Sequence, residues 1–302
     1  MSEVKSNFPP VLLVVIAVFL WSTGGLFIKS TTIDAYQITF FRSLLAALTV
    51  LILTRKQGLK IDAFGILSSV IYALLLILFV WATKKTTAAN AIFLQYTAPI
   101  YILILAPFVI GEKFHIRDLV TVVVVLAGMS LFFVGQLKLE DYQGNIAALL
   151  SGVMLGLYIL FLKHPKAVGT PKLVAAGASY KPINPAIAVN YGNFLLAAVT
   201  FPSGISAIPI MTGMDWFAVS FLGIVQIGIS YILFIKGVRA GTRPLDASLI
   251  GFIEPLLNPV WVFIFVGERP SQWALLGGAI IITAIAVHSI RQYTGNRALK
   301  TA

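Results

Sequence analysis

Cysteine is absent from the 302-residue sequence, which excludes disulfides, cysteine-ligated zinc sites and thiol catalysis. Charged residues are also scarce, at 11%, whereas a typical soluble domain carries about 25%. The chain has no long polar block in which a soluble domain could lie. The composition that remains is 59% hydrophobic, and it predicts a membrane domain over almost the entire chain.

Motifs of catalysis and of energy coupling are missing as well. The sequence has no GxxxxGK[ST] phosphate loop, so transport driven by an ATPase of this chain is excluded. It has no HExxH motif, and His115, His164 and His288 lack metal-ligand spacing. No Ser-His-Asp set is apparent. We therefore expect neither an enzyme nor a bound cofactor or metal. A channel is a weak alternative, because no repeated selectivity filter or charged ring is visible.

Ten apolar runs divide the chain, most of them close to the roughly 20 residues that a membrane-spanning helix needs. Lipid requires each span to satisfy its own backbone hydrogen bonds, and the runs lack the alternation of a barrel strand, so helices are predicted. The segment before the first run has no clear signal-peptide cleavage site, and that run is expected to be a helix of the mature protein. The runs lie at about 9–29, 35–54, 63–83, 88–109, 116–135, 144–163, 185–202, 215–236, 246–266 and 272–291.

The positions of Lys and Arg between these runs predict the orientation. The net charge of +11 would suggest nucleic acid in a soluble protein, but here the charges lie between apolar segments, so no nucleic-acid partner is expected. With a cytoplasmic N-terminus, sixteen Lys and Arg lie at inner ends and five at outer ends, and Arg42 lies inside a span. Positive charge marks the cytoplasmic side. Both termini are therefore predicted to be cytoplasmic, in a multi-pass protein of the cytoplasmic (inner) membrane.

Residues 86–119 and 242–275 carry one pattern twice, 156 residues apart. Each copy contains Pro-x11-Gly-Glu in an otherwise apolar stretch. Duplicated membrane units of this kind are most often transporters. The residues that match without a gap are Thr86 and Thr242, Ala91 and Ala247, Pro99 and Pro255, Gly111 and Gly267, Glu112 and Glu268, and Leu119 and Leu275.

Extending this match gives five spans in each copy. Because five is odd, the second copy must enter the membrane upside down, which makes an inverted repeat with a pseudo-two-fold axis in the membrane plane. The predicted fold is an all-α integral membrane protein of ten transmembrane helices, as two inverted five-helix repeats at 1–140 and 141–302. An inner Pro- and Gly-containing segment at about 164–184 is expected to be a mobile linker, with docking of a partner as the alternative.

The pattern resembles the EamA-type branch of the drug/metabolite transporter superfamily. The resemblance rests on the five-plus-five arrangement, on WST at 21–23, and on a proline followed by Gly-Glu in the fourth and ninth spans. It covers nearly the whole chain. One departure is that Ala98 precedes the first proline where Glu254 precedes the second. The resemblance implies a secondary carrier with a central cavity, often an exporter, in a family that handles amino acids, cofactors, drugs and sugars.

Two charged residues lie about eight residues inside spans, or roughly 12 Å deep at 1.5 Å per residue. They are Arg42 and Glu254, and a buried charge in a membrane helix is costly. Glu254 is a candidate to exchange a proton or to bind a substrate amine, and Arg42 to bind a carboxylate or restrain Glu254. The alternative is a structural pair, or separate bonds to backbone. Asp246, at a helix start, is predicted to be an N-terminal cap.

Two prolines interrupt matching spans. Pro99 frees the carbonyl of Gln95, and Pro255 frees that of Gly251, because proline has no N–H for the i−4 bond. A carbonyl freed at membrane depth must find protein, water or ligand. We expect both kinks to line the cavity, with shaping of helix packing as the alternative. The neighbouring candidates for the lining are Asn90, Gln95, Tyr96 and Asn258.

Aromatic and amide side chains are the remaining candidates for substrate contact. Buried amides are costly unless bonded, so they are expected to face a cavity or partner helices, and packing is the alternative for each. The candidates are Trp21, Tyr158, Asn193, Gln226 and Tyr231, and further members of the same set are Tyr72, Trp81, Asn190 and Tyr191.

The glycines have structural interpretations. In the Gly-Glu pairs at 111–112 and 267–268, Gly is predicted to end a helix in a left-handed cap and Glu to start the next helix. Gly152 and Gly156 are predicted to permit close helix packing.

These features together predict a secondary transporter that works by alternating access. It is expected to export a small amphipathic metabolite such as an amino acid, with protons as candidate coupling ions, as a monomer or homodimer in the lipid bilayer. The alternatives are a flippase for a lipid-linked group and a facilitative, channel-like permease.

Overall fold

The computed structural model describes residues 8–86, 88–132, 134, 141–168, 184–266 and 271–301. These residues form helices and short connections, and no strand occurs among them. The helices are α1 Pro10–Ser22, α2 Gly24–Lys29, α3 Ala35–Thr54, α4 Ala63–Lys85, α5 Ala88–Gln95, α6 Ala98–Val109, α7 Ile116–Phe132, α8 Tyr142–Phe161, α9 Pro165–Val168, α10 Pro185–Ala207, α11 Gly213–Phe221, α12 Ser230–Ala240, α13 Pro244–Ile250, α14 Ile253–Val266 and α15 Gln272–Thr301, with a π-helical segment Leu222–Ile229 between α11 and α12.

Eight helical stretches of the described chain are long and apolar enough to cross a membrane. The two other predicted spans coincide with the 17-residue helix α7 and with α13 and α14. The eight stretches are Pro10–Ile28, Ala35–Gln57, Ala63–Ala82, Asn90–Val109, Tyr142–Phe161, Ala186–Ile210, Gly213–Ala240 and Gln272–Gln292.

The two proline kinks are confirmed. The fourth predicted span is interrupted between α5 and α6, and the ninth between α13 and α14. The carbonyl of Gly251 accepts from the N–H of Glu254 at 3.0 Å, and the carbonyl oxygen of Gln95 lies 2.8 Å from where a Cβ on Gly152 would be.

Glycines let α8 approach the broken fourth span closely. A Cβ on Gly152 would meet backbone oxygens of α5, and a Cβ on Gly156 would lie 3.2 Å from the carbonyl oxygen of Ala98. With no side chain at these positions the two backbones touch. The predicted close-packing role of Gly152 and Gly156 is confirmed.

The first Gly-Glu pair behaves only partly as predicted. Gly111 follows α6 with φ +72°, so it adopts the left-handed cap, and the N–H of Glu112 reaches back to the carbonyl of Ala106. Glu112 does not start the next helix, however, because α7 begins at Ile116 and the Glu112 carboxylate binds Arg243 instead. Gly267 and Glu268 lie outside the described residues.

The predicted linker begins with structure of its own. Residues 165–168 form the short helix α9, and the side chain of Arg239 in α12 donates to the carbonyl of Ala167 at 2.9 Å. The rest of the linker, from residue 169 to residue 183, lies outside the described part of the chain.

Candidate functional site

Nine side chains from eight of the predicted spans converge at the centre of the bundle, and we call this set the central cluster. Each lies in, or beside an interruption of, a helix that is otherwise apolar. The members of the central cluster are Trp21, Arg42, Tyr72, Tyr96, Tyr158, Asn193, Gln226, Tyr231 and Glu254.

Four aromatic rings form the body of the central cluster. The Tyr231 ring centroid lies 4.8 Å from that of Trp21 and 5.1 Å from that of Tyr72. Tyr158 contacts both tyrosines, with its ring centroid 5.3 Å from Tyr72 and 6.1 Å from Tyr231. Tilted and edge-on contacts at these distances are favourable for aromatic rings. They hold the hydroxyl-bearing rings of α4, α8 and α12 together.

The two helix interruptions meet at Glu254. Glu254 lies in the first turn of α14, and its Oε2 accepts a hydrogen bond of 2.6 Å from the hydroxyl of Tyr96, which follows α5. The Tyr96 ring also contacts Phe252 edge-on, with centroids 5.1 Å apart. In the duplicated pattern Tyr96 and Phe252 occupy the same position. The kinks of the two halves therefore contact each other directly.

Arg42 reaches the same centre from α3 and is only 8% exposed. Its guanidinium lies within Coulombic range of Tyr72 and Tyr231. No ion pair joins Arg42 to Glu254 or to any other carboxylate of the described chain. The structural pair considered as an alternative from the sequence is therefore not formed in this structure.

The two amides of the cluster are held by one bond each to a neighbouring element. The Nδ2 of Asn193 donates to the Tyr72 hydroxyl at 3.1 Å and to the Val189 carbonyl within its own helix. The Nε2 of Gln226 donates to the Trp21 carbonyl at 3.3 Å. Gln226 lies in the π-helical segment, a local widening that is frequent at functional sites.

Five buried polar atoms of the central cluster have no hydrogen-bond partner among the described residues. Such atoms are rare in folded proteins, because each costs about 1–3 kcal/mol when left unpaired. Their occurrence in one set of side chains makes the central cluster the candidate for a site that binds a polar ligand. They are Trp21 Nε1, Arg42 Nε, Tyr158 OH, Asn193 Oδ1 and Gln226 Oε1.

Other sequence candidates have partners of their own. Asn90 donates to the side chain of Asn145 at 2.8 Å, and Gln95 donates to Ser151 at 2.8 Å, so both link the fourth span to α8. Pro99 and Pro255 are buried beside the interruptions they cause. The backbone of Asn258 belongs to α14, but its side chain lies outside the described part of the structure.

Tyr72 is the residue that sequence reasoning valued too little. It was one of several aromatics in spans, yet it touches two rings and the Asn193 amide and is fully buried. No sequence pattern singles out Trp261 as a candidate for the site. Its Nε1 donates to the Oγ of Ser22, the residue that follows Trp21, at 3.0 Å. Both Tyr72 and Trp261 lie in largely apolar helices, where residue type gives little indication of which face points to the centre of the bundle.

An ionic network, which we call the Arg243 cluster, lies at one end of the bundle. The Arg243 guanidinium donates through Nε to Glu112 and through Nη2 to Asp118 at 2.9 Å. Burial lowers the pKa of Arg243, but the hydrogen bond that Arg243 donates to Asp118 and the nearby charges of Asp246 and Glu112 raise it above its ordinary value. The network ties the loop after α6 to the loop before α13.

Asp246 belongs to this network, which corrects the capping prediction. The N-cap of α13 is Arg243, and its side chain makes no cap bond. The Asp246 carboxylate instead lies 2.9 Å from His288 Nε2 and accepts from Gln292 at 3.0 Å. The carboxylate contacts α15 because tertiary packing places His288 and Gln292 within hydrogen-bond distance.

Asp215 fixes the opposite end of the bundle. Its carboxylate accepts from the backbone and hydroxyl of Thr32, at 2.7 and 2.8 Å, and from the hydroxyl of Thr212 at 2.6 Å. The loop after α2 and the loop before α11 are thereby joined. A stretch of helix from Gly213 to Ala240 separates this end from the Arg243 cluster.

Comparison with known proteins identifies transporters by both the family model and the similar sequences. A model of the EamA-like transporter family matches residues 8–134 and 142–290. An uncharacterized transporter of Archaeoglobus fulgidus is 22% identical over 276 residues, which are 91% of this chain and 94% of that protein. The pseudopaline exporter CntI of Pseudomonas aeruginosa is 24% identical over 288 residues, 91% of this chain and 93% of that one.

A solved structure has the same fold. The crystal structure of a protein without a stated function superposes with a TM-score of 0.70 at 19% identity, covering 93% of this chain and 96% of that one.

Proposed function

Because this chain belongs to the EamA-like transporter family, we propose that it is a secondary carrier that exports a small amphipathic metabolite, such as an amino acid. It works by alternating access, rocking two inverted halves around the central cluster. The five unpartnered polar atoms of that cluster are the observation that carries the proposal. A buried set of this kind, between interrupted helices, is what a polar solute requires for binding at membrane depth.

The contacts between helices support the inverted repeat at 1–140 and 141–302. Helix α4 of the first half packs on α8 of the second half, and α12 of the second half packs on α1 of the first half. Each half's third span therefore packs on the other half's first span. The interrupted spans show the same reciprocal packing between the halves, since α5 and α6 pack on α8 while α14 packs on α1. The family model also matches twice, once in each half.

The proposed orientation places both termini and the Arg243 cluster on the cytoplasmic side of the inner membrane. The excess of Lys and Arg at that end of ten spans supports it. With Asp215 joining loops at the outer end and Arg243 at the inner end, each end has its own set of bonds that alternating access must break in turn.

Glu254 is our candidate for proton coupling or direct substrate contact. It is the single carboxylate of the central cluster, and its described hydrogen bond is the one from Tyr96. The matching position in the first half is Ala98, so the second half alone can supply this group. Export as the direction of transport is supported by the relative named as a pseudopaline exporter.

The test is counterflow in proteoliposomes with a panel of radiolabelled amino acids and small organic cations, comparing wild type with Glu254→Gln. We expect saturable exchange of one solute class by the wild type. If Glu254 couples protons, the variant keeps exchange and loses accumulation driven by a pH gradient. If Glu254 binds the substrate, the variant loses exchange as well.

Asp62→Asn is the matched control. Asp62 is an exposed carboxylate that caps α4 by accepting from the N–H of Gly65 at 2.7 Å, and asparagine caps equally well. The rate of counterflow by Asp62→Asn should equal that of the wild type. Absence of exchange for every soluble solute, with protein correctly inserted, would contradict the proposed substrate class and favour a lipid-linked group.

A further inference from the structure

Arg42 is a buried guanidinium without an anionic partner. It lies in the middle of α3 and is 8% exposed, its Nε is buried without a hydrogen-bond partner, and no carboxylate of the described chain pairs with it. Guanidinium remains charged under all physiological conditions. A charge buried in a membrane bundle is costly unless something of opposite sign meets it. An anionic group of a ligand would meet that requirement.

The unpartnered atom indicates the shape of that group. Nε and the Nη atom on the same side of a guanidinium form a planar fork with two parallel N–H bonds. A carboxylate matches this fork in a bidentate arrangement. Since Nε itself is without a partner, the fork that includes it is available for a planar two-oxygen acceptor.

The surroundings of Arg42 suit a ligand that also carries hydrogen-bond donors. The Asn193 amide gives its nitrogen to Tyr72 and to Val189, which leaves Oδ1 buried and unpartnered. Gln226 has the same arrangement, with Nε2 bonded to Trp21 and Oε1 unpartnered. Amide oxygens only accept, so the group that completes them must donate. An ammonium or an amide N–H meets that need.

Glu254 is the acidic group of the central cluster. Tyr231 is within Coulombic range of both Glu254 and Arg42, while the two charged groups form no ion pair with each other. The central cluster therefore holds a cation and an acid that are not paired with each other. A zwitterion fits this arrangement, with its anionic end at Arg42 and its donating end toward Glu254 and the amide oxygens.

We propose that Arg42 is the carboxylate-binding residue of this carrier, so the substrate class is a small zwitterion with one free carboxylate. This inference rests on the proposed function, since it assigns chemistry to the same cluster.

Ligand-dependent thermal stabilisation of the purified full-length protein tests the inference without requiring transport. The probes are the common L-amino acids, each with its α-amide, and L-phenylalanine also with phenethylamine. We expect at least one amino acid to raise the Tm of the wild type and its amide to have no effect. In Arg42→Gln the concentration for half-maximal stabilisation should rise about 10- to 100-fold, as expected when a charged bidentate bond is lost. Arg42→Lys should lie between the two.

A merely structural role for Arg42 would give a different result. If the guanidinium stabilised the fold, Arg42→Gln would lower the Tm without ligand, whereas removal of an unpaired buried charge should leave it equal or higher. Arg117→Gln is the matched control, because Arg117 is an exposed arginine at the start of α7. Its ligand response should equal wild type.

Each result of these experiments supports or overturns the proposed role of Arg42. Amides that stabilise the wild type as well as the acids do, or a panel in which no carboxylate raises the Tm, would overturn the inference. If Arg42→Gln fails to fold, the comparison of acid with amide on the wild type and on Arg42→Lys still decides. The counterflow experiment distinguishes a failure of the proposed carrier function from a failure of the proposed role of Arg42. Exchange restricted to solutes without a carboxylate would leave the carrier function standing and remove the role of Arg42. Binding of a carboxylate without exchange would do the reverse.

Discussion

Glu254 shows how one residue breaks the equivalence of two repeated halves. Its matching position is Ala98, yet its hydrogen bond comes from Tyr96 of the first half. The acid of one half and the hydroxyl of the other thus make a single unit. Both halves supply aromatic side chains to the central cluster, but its carboxylate comes from one of them.

His164 gives a residue-scale prediction about pH. Burial lowers the pKa of its imidazole below the ordinary value, and the charge of Lys166 lowers it further. Because the folded pKa is lowered, the neutral form is favoured by folding, and stability is lost as the pH falls below about 6.5. In His164→Phe, which keeps a ring beside Phe64, the Tm measured in detergent should fall less between pH 7.5 and pH 5.5 than it does in the wild type. Parallel curves for the two proteins would contradict the prediction.

The interrupted helices require close backbone contact, and a prediction follows for α8. In Gly152→Ala the new Cβ would lie 2.8 Å from the Gln95 carbonyl oxygen and 3.0 Å from that of Leu94. Backbone cannot move aside as a flexible side chain can, so the fold should lose about 1–3 kcal/mol, measured as a lower Tm. Gly213→Ala is the control, because a Cβ there meets nothing within 4 Å. An unchanged Tm for Gly152→Ala would show that α8 can shift without cost.

The Arg243 cluster is a second feature at the scale of elements, since it joins two loops and two helices. The pair of Arg243 with Glu112 is partly buried, at 31% and 24% exposure. Arg243→Gln should therefore cost about 1–3 kcal/mol by leaving two carboxylates without their cation. A double-mutant cycle with Glu112→Gln should give a coupling energy of about 0.5–3 kcal/mol, and Lys113→Gln, at an exposed position, should show none. Additive effects would mean that the ion pair contributes nothing.

The absence of cysteine allows the orientation of the whole molecule to be tested directly. Lys56→Cys and Met214→Cys introduce single thiols at exposed positions in an otherwise cysteine-free chain. In intact cells a membrane-impermeant maleimide should label Met214→Cys and leave Lys56→Cys unlabelled until the membrane is opened. The reverse pattern would invert the proposed topology.

The sequence by itself determined the features that depend on local chemistry. Apolar runs of sufficient length predict helices because lipid offers the backbone no other partner. Pro99 and Pro255 interrupt two of these helices because proline lacks the N–H. Gly111 ends α6 in the left-handed conformation that glycine adopts without strain. The duplicated pattern, read from the letters alone, led to the same family that the comparison shows.

Only the tertiary structure decided which side chains meet. The helices are apolar on nearly all faces, so the sequence does not indicate how each is rotated, and rotation decides that Tyr72 lies at the centre while Asn90 and Gln95 bond to α8. Asp246 is within three residues of a helix start, but packing against α15 brings His288 Nε2 within 2.9 Å of its carboxylate, which makes no cap bond. Arg42 and Glu254 lie at similar depth, yet they form no ion pair in the described structure. Depth in a span is a one-dimensional property that sequence fixes, whereas pairing depends on distances in three dimensions.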